Sequence, residues 1–182
     1  MKTNNKKLRL LLTTRCPNKC PMCCNNSWDF SKLPVVERWN YEQIMFTGGE
    51  PLLYPTRVSN FANSVKEIVK VQYGYTPKIY VYTAVCDSLQ LCLGLKHLDG
   101  VVLTPHNRSD VNKFLAFNDS LLNNPYYKGF EGKSLRLNLF KNIKEMIPEG
   151  TDLSLWQVKD MEWVKDCPVP EGEDFRRINN LW

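Results

Sequence analysis

No stretch of the 182-residue sequence approaches the ~18 consecutive apolar residues that a membrane-spanning helix needs. A secretory signal core is missing too: the polar start is followed only by the short apolar run Leu10 to Leu12, then two threonines and Arg15, too little for a signal peptide. These absences make a soluble, cytoplasmic protein the expectation. There is no internal repeat, no low-complexity tract and no basic block. The 24 Lys and Arg against 19 Asp and Glu give +5, but the cations are spread along the chain and not interleaved with aromatics, so there is no strong nucleic-acid signal. Nor do the cysteines have the even spacing of a disulfide framework. Four crowd together at Cys16, Cys20, Cys23 and Cys24, while Cys86, Cys92 and Cys167 stand apart. With 43% hydrophobic residues, the chain can bury one core and is short for two. One domain is expected over residues 1–166, followed by a tail over 167–182. Pro168, Pro170 and Gly172 precede a charged run there, which reads as loop or short helix.

What the sequence does contain is an alternation of two hydrophobic periods. Residues 8–14 form a short apolar run that leads into a Pro- and Cys-rich loop, and residues 43–47 form a second run broken by Gly48-Gly49. Val58, Phe61, Ala62, Val65, Ile68 and Val69 then recur at helical spacing. Residues 78–85 are β-branched and aromatic, and residues 88–98 read as a helix capped by Asp87 or Ser88. A fourth strand is expected over 101–104, a helical region marked by Val111, Leu115, Leu121 and Leu122, a fifth strand over 135–140 and a sixth over 153–158. Six β-α units in succession call for an α/β fold with a parallel sheet. A complete eight-unit barrel takes ~200 residues or more. The expected architecture is therefore a partial (β/α)6 TIM-like barrel.

Chemistry concentrates at the ends of the first two strands. Cys16-x3-Cys20-x2-Cys23 puts three thiols on one compact loop stiffened by Pro17 and Pro21. Thiolates are soft ligands suited to iron–sulfur clusters. A zinc site would want a fourth ligand, which would have to come from distant Cys86, Cys92, Cys167, His97 or His106. Three cysteines alone leave both metals open. In a cluster, three protein ligands leave one iron free to take a small molecule.

Cys16-Pro17-Asn18-Lys19-Cys20-Pro21-Met22-Cys23, following the first strand, resembles the CxxxCxxC loop of the radical S-adenosylmethionine (SAM) superfamily. Thr47-Gly48-Gly49-Glu50-Pro51, following the second, resembles the GGEP motif of the same superfamily. Two motifs in this order, each after the appropriate strand, are far more specific than either alone. The resemblance covers strands one to four and weakens after about Thr104.

The resemblance implies a radical SAM core in which Cys16, Cys20 and Cys23 hold a [4Fe–4S] cluster, with SAM chelating the unique iron. Reductive cleavage of SAM would give methionine and a 5′-deoxyadenosyl radical that abstracts hydrogen from substrate. Such an enzyme is oxygen-sensitive and draws on an electron donor such as flavodoxin or ferredoxin. Gly48 and Gly49 would let the backbone approach the ligand, Glu50 would accept a hydrogen bond from the SAM ammonium group, and Pro51 would stiffen the turn. Met22 stands where relatives often have an aromatic residue, with its backbone placed to contact adenine. Thr83 sits at a strand end where relatives have Thr-Asn-Gly, with Ala84 and Val85 replacing the last two. Thr104 and His106 fall at the expected mouth. Arg136 and Asn138 share one face of strand five, as Gln157 and Lys159 do on strand six, offering SAM or substrate contacts. Cys24 reads as a bystander, kept for packing or simply tolerated. The substrate is either a peptide or protein or a nucleotide-like molecule. An activating enzyme of a glycyl-radical protein is one alternative, and a non-catalytic iron–sulfur or zinc-binding module is another.

Overall fold

The computed structural model describes residues 7–20, 23, 26, 28–164 and 168–182. Met22, Cys24, Cys167 and the expected boundary at residue 166 lie outside them. The fold is α/β. Strands β1 (Lys7–Thr13), β2 (Gln43–Gly48), β3 (Lys78–Thr83), β4 (Gly100–Leu103), β5 (Ser134–Phe140), β6 (Gln157–Met161) and β7 (Glu173–Arg177) form one seven-stranded sheet. Its order is β6-β5-β4-β3-β2-β1-β7, and every pairing is parallel. From β1 to β6, therefore, each strand lies beside its neighbour in sequence.

The connections carry α1 (Pro55–Tyr73), α2 (Ser88–Gly94), α3 (Arg108–Asn123) and the single turn α4 (Lys141–Lys144). Local chemistry sets their ends. Pro55 starts α1 with its φ already helical, and Gly74 closes it in the left-handed conformation at φ 79. The carboxylate of Asp87 accepts from Gln90 N at 3.0 Å and the side chain of Asn107 from Asp110 N at 3.0 Å, satisfying donors that a helix start leaves free.

Strand parity decides what each face of the sheet does. Leu8, Leu10, Leu12, Ile44, Phe46, Ile79, Val81, Val101, Leu103, Leu135, Leu137 and Leu139 share one hydrophobic cluster with Val58, Ala62 and Val65 of α1, Leu91 of α2, Phe114 and Phe117 of α3 and Ile143 of α4. These strand residues lie two apart within each strand, so the four helices pack on one face. Each large side chain fully buried there, such as Phe46, contributes about 2–3 kcal/mol. Leu11, Met45 and Val102 are buried on the opposite face and join no part of that cluster. That face also carries Arg9 over the Tyr82 ring at 5.5 Å and Arg136 over the Tyr80 ring at 5.6 Å.

Two expectations from sequence need correction. The sixth strand is Gln157–Met161, later than residues 153–158. Its apolar precursor is a core plug instead: the buried Trp156 donates its indole N–H to Asn118 at 2.9 Å and meets Phe114 edge to face. The tail is not a loop or short helix, because Glu173–Arg177 pairs with β1 as a seventh strand. Its charges are accommodated there, with Glu173 gripping Arg9 at 2.9 Å and Asp174 accepting from Tyr41 at 2.6 Å and Arg176 at 2.8 Å.

Candidate active site

The C-terminal ends of β1 to β4 converge on one cavity of about 250 Å³. Cys16, Asn18, Cys20 and Cys23 line one side; Thr47, Gly48, Gly49 and Glu50 line the next; Tyr82, Thr83, Ala84, Thr104, His106 and Trp163 complete it. A smaller hollow of about 200 Å³ shares Asn18, Cys20, His106 and Trp163 and adds Lys19 and Asn107. A cavity of about 390 Å³ lies elsewhere, between the end of α3 and the 3-10 turn Pro125–Phe130. Its lining has no cysteine, no histidine and no residue of either motif, so chemistry singles out the smaller space.

The cysteine loop and the Gly-Gly-Glu turn are stitched together through their backbones. Gly49 N donates to Thr13 O at 2.7 Å and Glu50 N to Arg15 O at 2.7 Å. A Cβ on Gly48 would stand 2.2 Å from Thr13 O, and one on Gly49 would stand 2.1 Å from Arg15 O. Gly48 also has φ +142, a conformation side chains disfavour. The glycines are thus required by the neighbouring strand end, where the sequence suggested space for a ligand.

Glu50 is 2% exposed, and its carboxylate is already engaged. Oε1 accepts from Leu52 N at 2.9 Å and from the Thr83 hydroxyl at 2.6 Å, and Oε2 accepts from Ala84 N at 2.8 Å. Glu50 therefore ties the end of β2 to the end of β3, and Thr83 serves this tie. Burial pushes the Glu50 carboxyl above the ordinary value of 4.5, against the pull of those three donors. Because the folded state then holds the proton more tightly than the unfolded chain, this group's contribution to stability is full below 4.5 and declines as pH rises through the folded value. Thermal unfolding of metal-free protein between about pH 4 and pH 8 is expected to show that decline in the wild type and a flatter profile in Glu50→Gln. Equal slopes in the two proteins would contradict the assignment.

The thiols sense one another. Burial and the neighbouring Cys23 and Cys16 push the Cys20 thiol up to about 11. Burial, Glu50 and Cys23 likewise raise Cys16. Thiols that resist ionising together are a donor set that a cationic core would neutralise. Three thiols facing one cavity thus fit the ligand set of a site-differentiated iron–sulfur cluster in kind and number. Among the described residues, no group of three or more His, Cys, Asp or Glu side chains is arranged to hold a metal ion.

His106 joins an aromatic stack at the cavity wall. Its ring lies 6.0 Å from Phe140 and 5.9 Å from Trp163, and Phe140 and Trp163 stack at 4.1 Å and 8°. Burial lowers the His106 pKa against the opposing charge of Asp110, which favours the neutral ring. The backbone N–H of His106 donates to Asp110 at 2.9 Å.

Of the residues singled out from sequence, Cys16, Cys20, Cys23, Gly48, Gly49, Glu50, Thr83, Thr104 and His106 meet at this cavity. Pro51 is buried in the 3-10 turn Pro51–Leu53 beneath it. Arg136 and Asn138 share the helix-free face of β5 but do not line the cavity. Trp163 was not anticipated. It stands two residues beyond Met161, the end of β6, so a sixth strand placed at 153–158 left it without a position. Tyr82 and Asn18 are further additions.

No protein-family model matches the chain, and no curated protein matches it. Among the described residues, no helix is long and apolar enough to cross a membrane.

Proposed function

We propose that the protein is a radical SAM enzyme whose core is a partial TIM-like barrel. The observation that carries this reading is the meeting of Cys16, Cys20, Cys23 and the Thr47-Gly48-Gly49-Glu50 turn around one cavity at the C-terminal ends of parallel strands. The sequential strand order and the packing of all four helices on one face support the barrel. When bound, a [4Fe–4S] cluster supplies the electron that splits SAM into methionine and a radical able to take hydrogen from substrate.

The chain's own groups have distinct tasks. Cys16, Cys20 and Cys23 would hold the cluster. The Gly48-Gly49-Glu50 backbone fixes the floor beside it, with Glu50 bracing β2 against β3. Thr104 and the Trp163–His106 pair bound the space for SAM. Arg136 and Asn138 lie on the same helix-free face, and no carboxylate pairs with Arg136 among the described residues. That leaves its guanidinium, stacked over Tyr80 outside the cavity lining, for a carboxylate or phosphate of substrate. A flavodoxin or ferredoxin in the cytoplasm is the electron source this chemistry calls for. The substrate is a peptide, a protein or a nucleotide-like molecule.

Anaerobic reconstitution tests the reading. About four iron and four sulfide per chain are expected, with 5′-deoxyadenosine formed from SAM only when dithionite is present. Bound zinc without charge-transfer absorption, or a cluster that leaves SAM intact, would overturn it.

A further inference from the structure

Beyond β7 the chain turns back onto the strand that feeds the cysteine loop. Ile178 N donates to Leu11 O at 3.2 Å and Trp182 N to Leu12 O at 2.9 Å. Thr13, fully buried, donates its hydroxyl proton to Trp182 O at 2.7 Å and accepts from Arg15 N at 3.1 Å. A threonine hydroxyl has one proton. Giving it to Trp182 orients a lone pair toward Arg15, the residue before Cys16.

The Trp182 side chain closes a ring of contacts around that residue. Its indole is covered by the Arg57 guanidinium at 4.5 Å and meets Phe61 at 5.7 Å and Tyr54 at 6.4 Å, both edge to face. The Tyr54 phenol oxygen in turn accepts from Arg15 Nη1 at 3.0 Å. Arg15 is therefore held through its N–H by Thr13, through its carbonyl by Glu50 N and through its guanidinium by Tyr54. Residues 178–182 anchor two of these three holds.

We propose that residues 178–182 are a positioning element of the cysteine loop: docking of Trp182 fixes Thr13 and Arg15, and through them the direction in which Cys16 enters the cavity. Trp182 and Thr13 act through Arg15 and touch no reacting atom. The inference rests on the reading of Cys16 as a cluster ligand.

The test uses the metal-free protein of residues 1–182. In Trp182→Ala, hydrogen exchange at the Arg15 and Gly49 amides and alkylation of Cys16 are expected to accelerate at least about tenfold, while exchange in α3 and β4 stays at the wild-type rate. Trp182→Phe, which keeps an aromatic ring over Arg57, is expected to restore most of the protection. Thr13→Val, which keeps shape and loses the hydroxyl, should reproduce the local opening, and Thr13→Ser should reverse it. Unchanged exchange and alkylation in Trp182→Ala would overturn the proposal. So would acceleration spread evenly over the whole sheet, since that marks a general loss of stability. A protein that passes this test yet binds no cluster would instead count against the enzymatic reading.

Discussion

Single replacement of Cys16, Cys20 or Cys23 by alanine is expected to lower reductive cleavage of SAM by more than about a hundredfold, beyond the 10–100-fold typical of groups that only support a metal ligand. Each removes one of the three thiols facing the cavity, and a cluster with two protein ligands has too few anchors to stay at a fixed distance from its substrate. Cys92 is exposed and does not line that cavity. Cys92→Ala should cleave SAM at the wild-type rate, and so should Cys24→Ala if that residue only packs. Retained cleavage in any of the three ligand variants would show that a different donor holds the metal.

Gly49→Ala carries the second large effect, and here the damage is to backbone. The added Cβ would stand 2.1 Å from Arg15 O and 2.8 Å from Thr14 C, and the same carbonyl accepts the Glu50 N–H. A flexible side chain could move aside, but this carbonyl belongs to the root of the cysteine loop. Relief requires breaking the Glu50-to-Arg15 hydrogen bond or shifting the loop. Overpacking of this kind costs on the order of 3 kcal/mol, which for a chain this size lowers Tm by about 6–12 °C. Cluster loading should fall with it, because the turn and the loop are one backbone unit. A Gly49→Ala protein as stable as the wild type would mean that the two segments are not locked together.

The order of elements was readable because each strand from β1 to β5 is an apolar run with its own turn signal. The helices between them show a clear 3.6-residue period. The sixth strand escaped this logic. Leu153, Leu155 and Trp156 look like a buried strand, yet Trp156 packs against Phe114 and Phe117 of α3, while Gln157–Met161 is an exposed edge with little apolar pattern. The seventh strand was hidden for a related reason: Glu173–Arg177 is nearly all charged, and the partners that accommodate Glu173 and Asp174, Arg9 and Tyr41, lie more than a hundred residues away in sequence.

In the site, the motif cysteines were legible from spacing alone. The Gly-Gly-Glu turn was legible in place but not in cause. Sequence suggests glycines cleared for a ligand and a glutamate free to bind one. The structure gives glycines pressed against Thr13 and Arg15 and a glutamate bonded to Thr83, Ala84 and Leu52. Such contacts join residues far apart in the chain, as Thr13 and Trp182 are, and no local pattern announces them.

The most direct measurement is the electron paramagnetic resonance spectrum of the reconstituted, dithionite-reduced protein with and without SAM. Three thiolate ligands and one open iron site predict a reduced-cluster signal whose g values shift when SAM is added. A signal that SAM leaves unchanged, or no cluster signal at all, would contradict a SAM-binding cluster in the cavity bounded by Cys16, Cys20, Cys23 and Gly49.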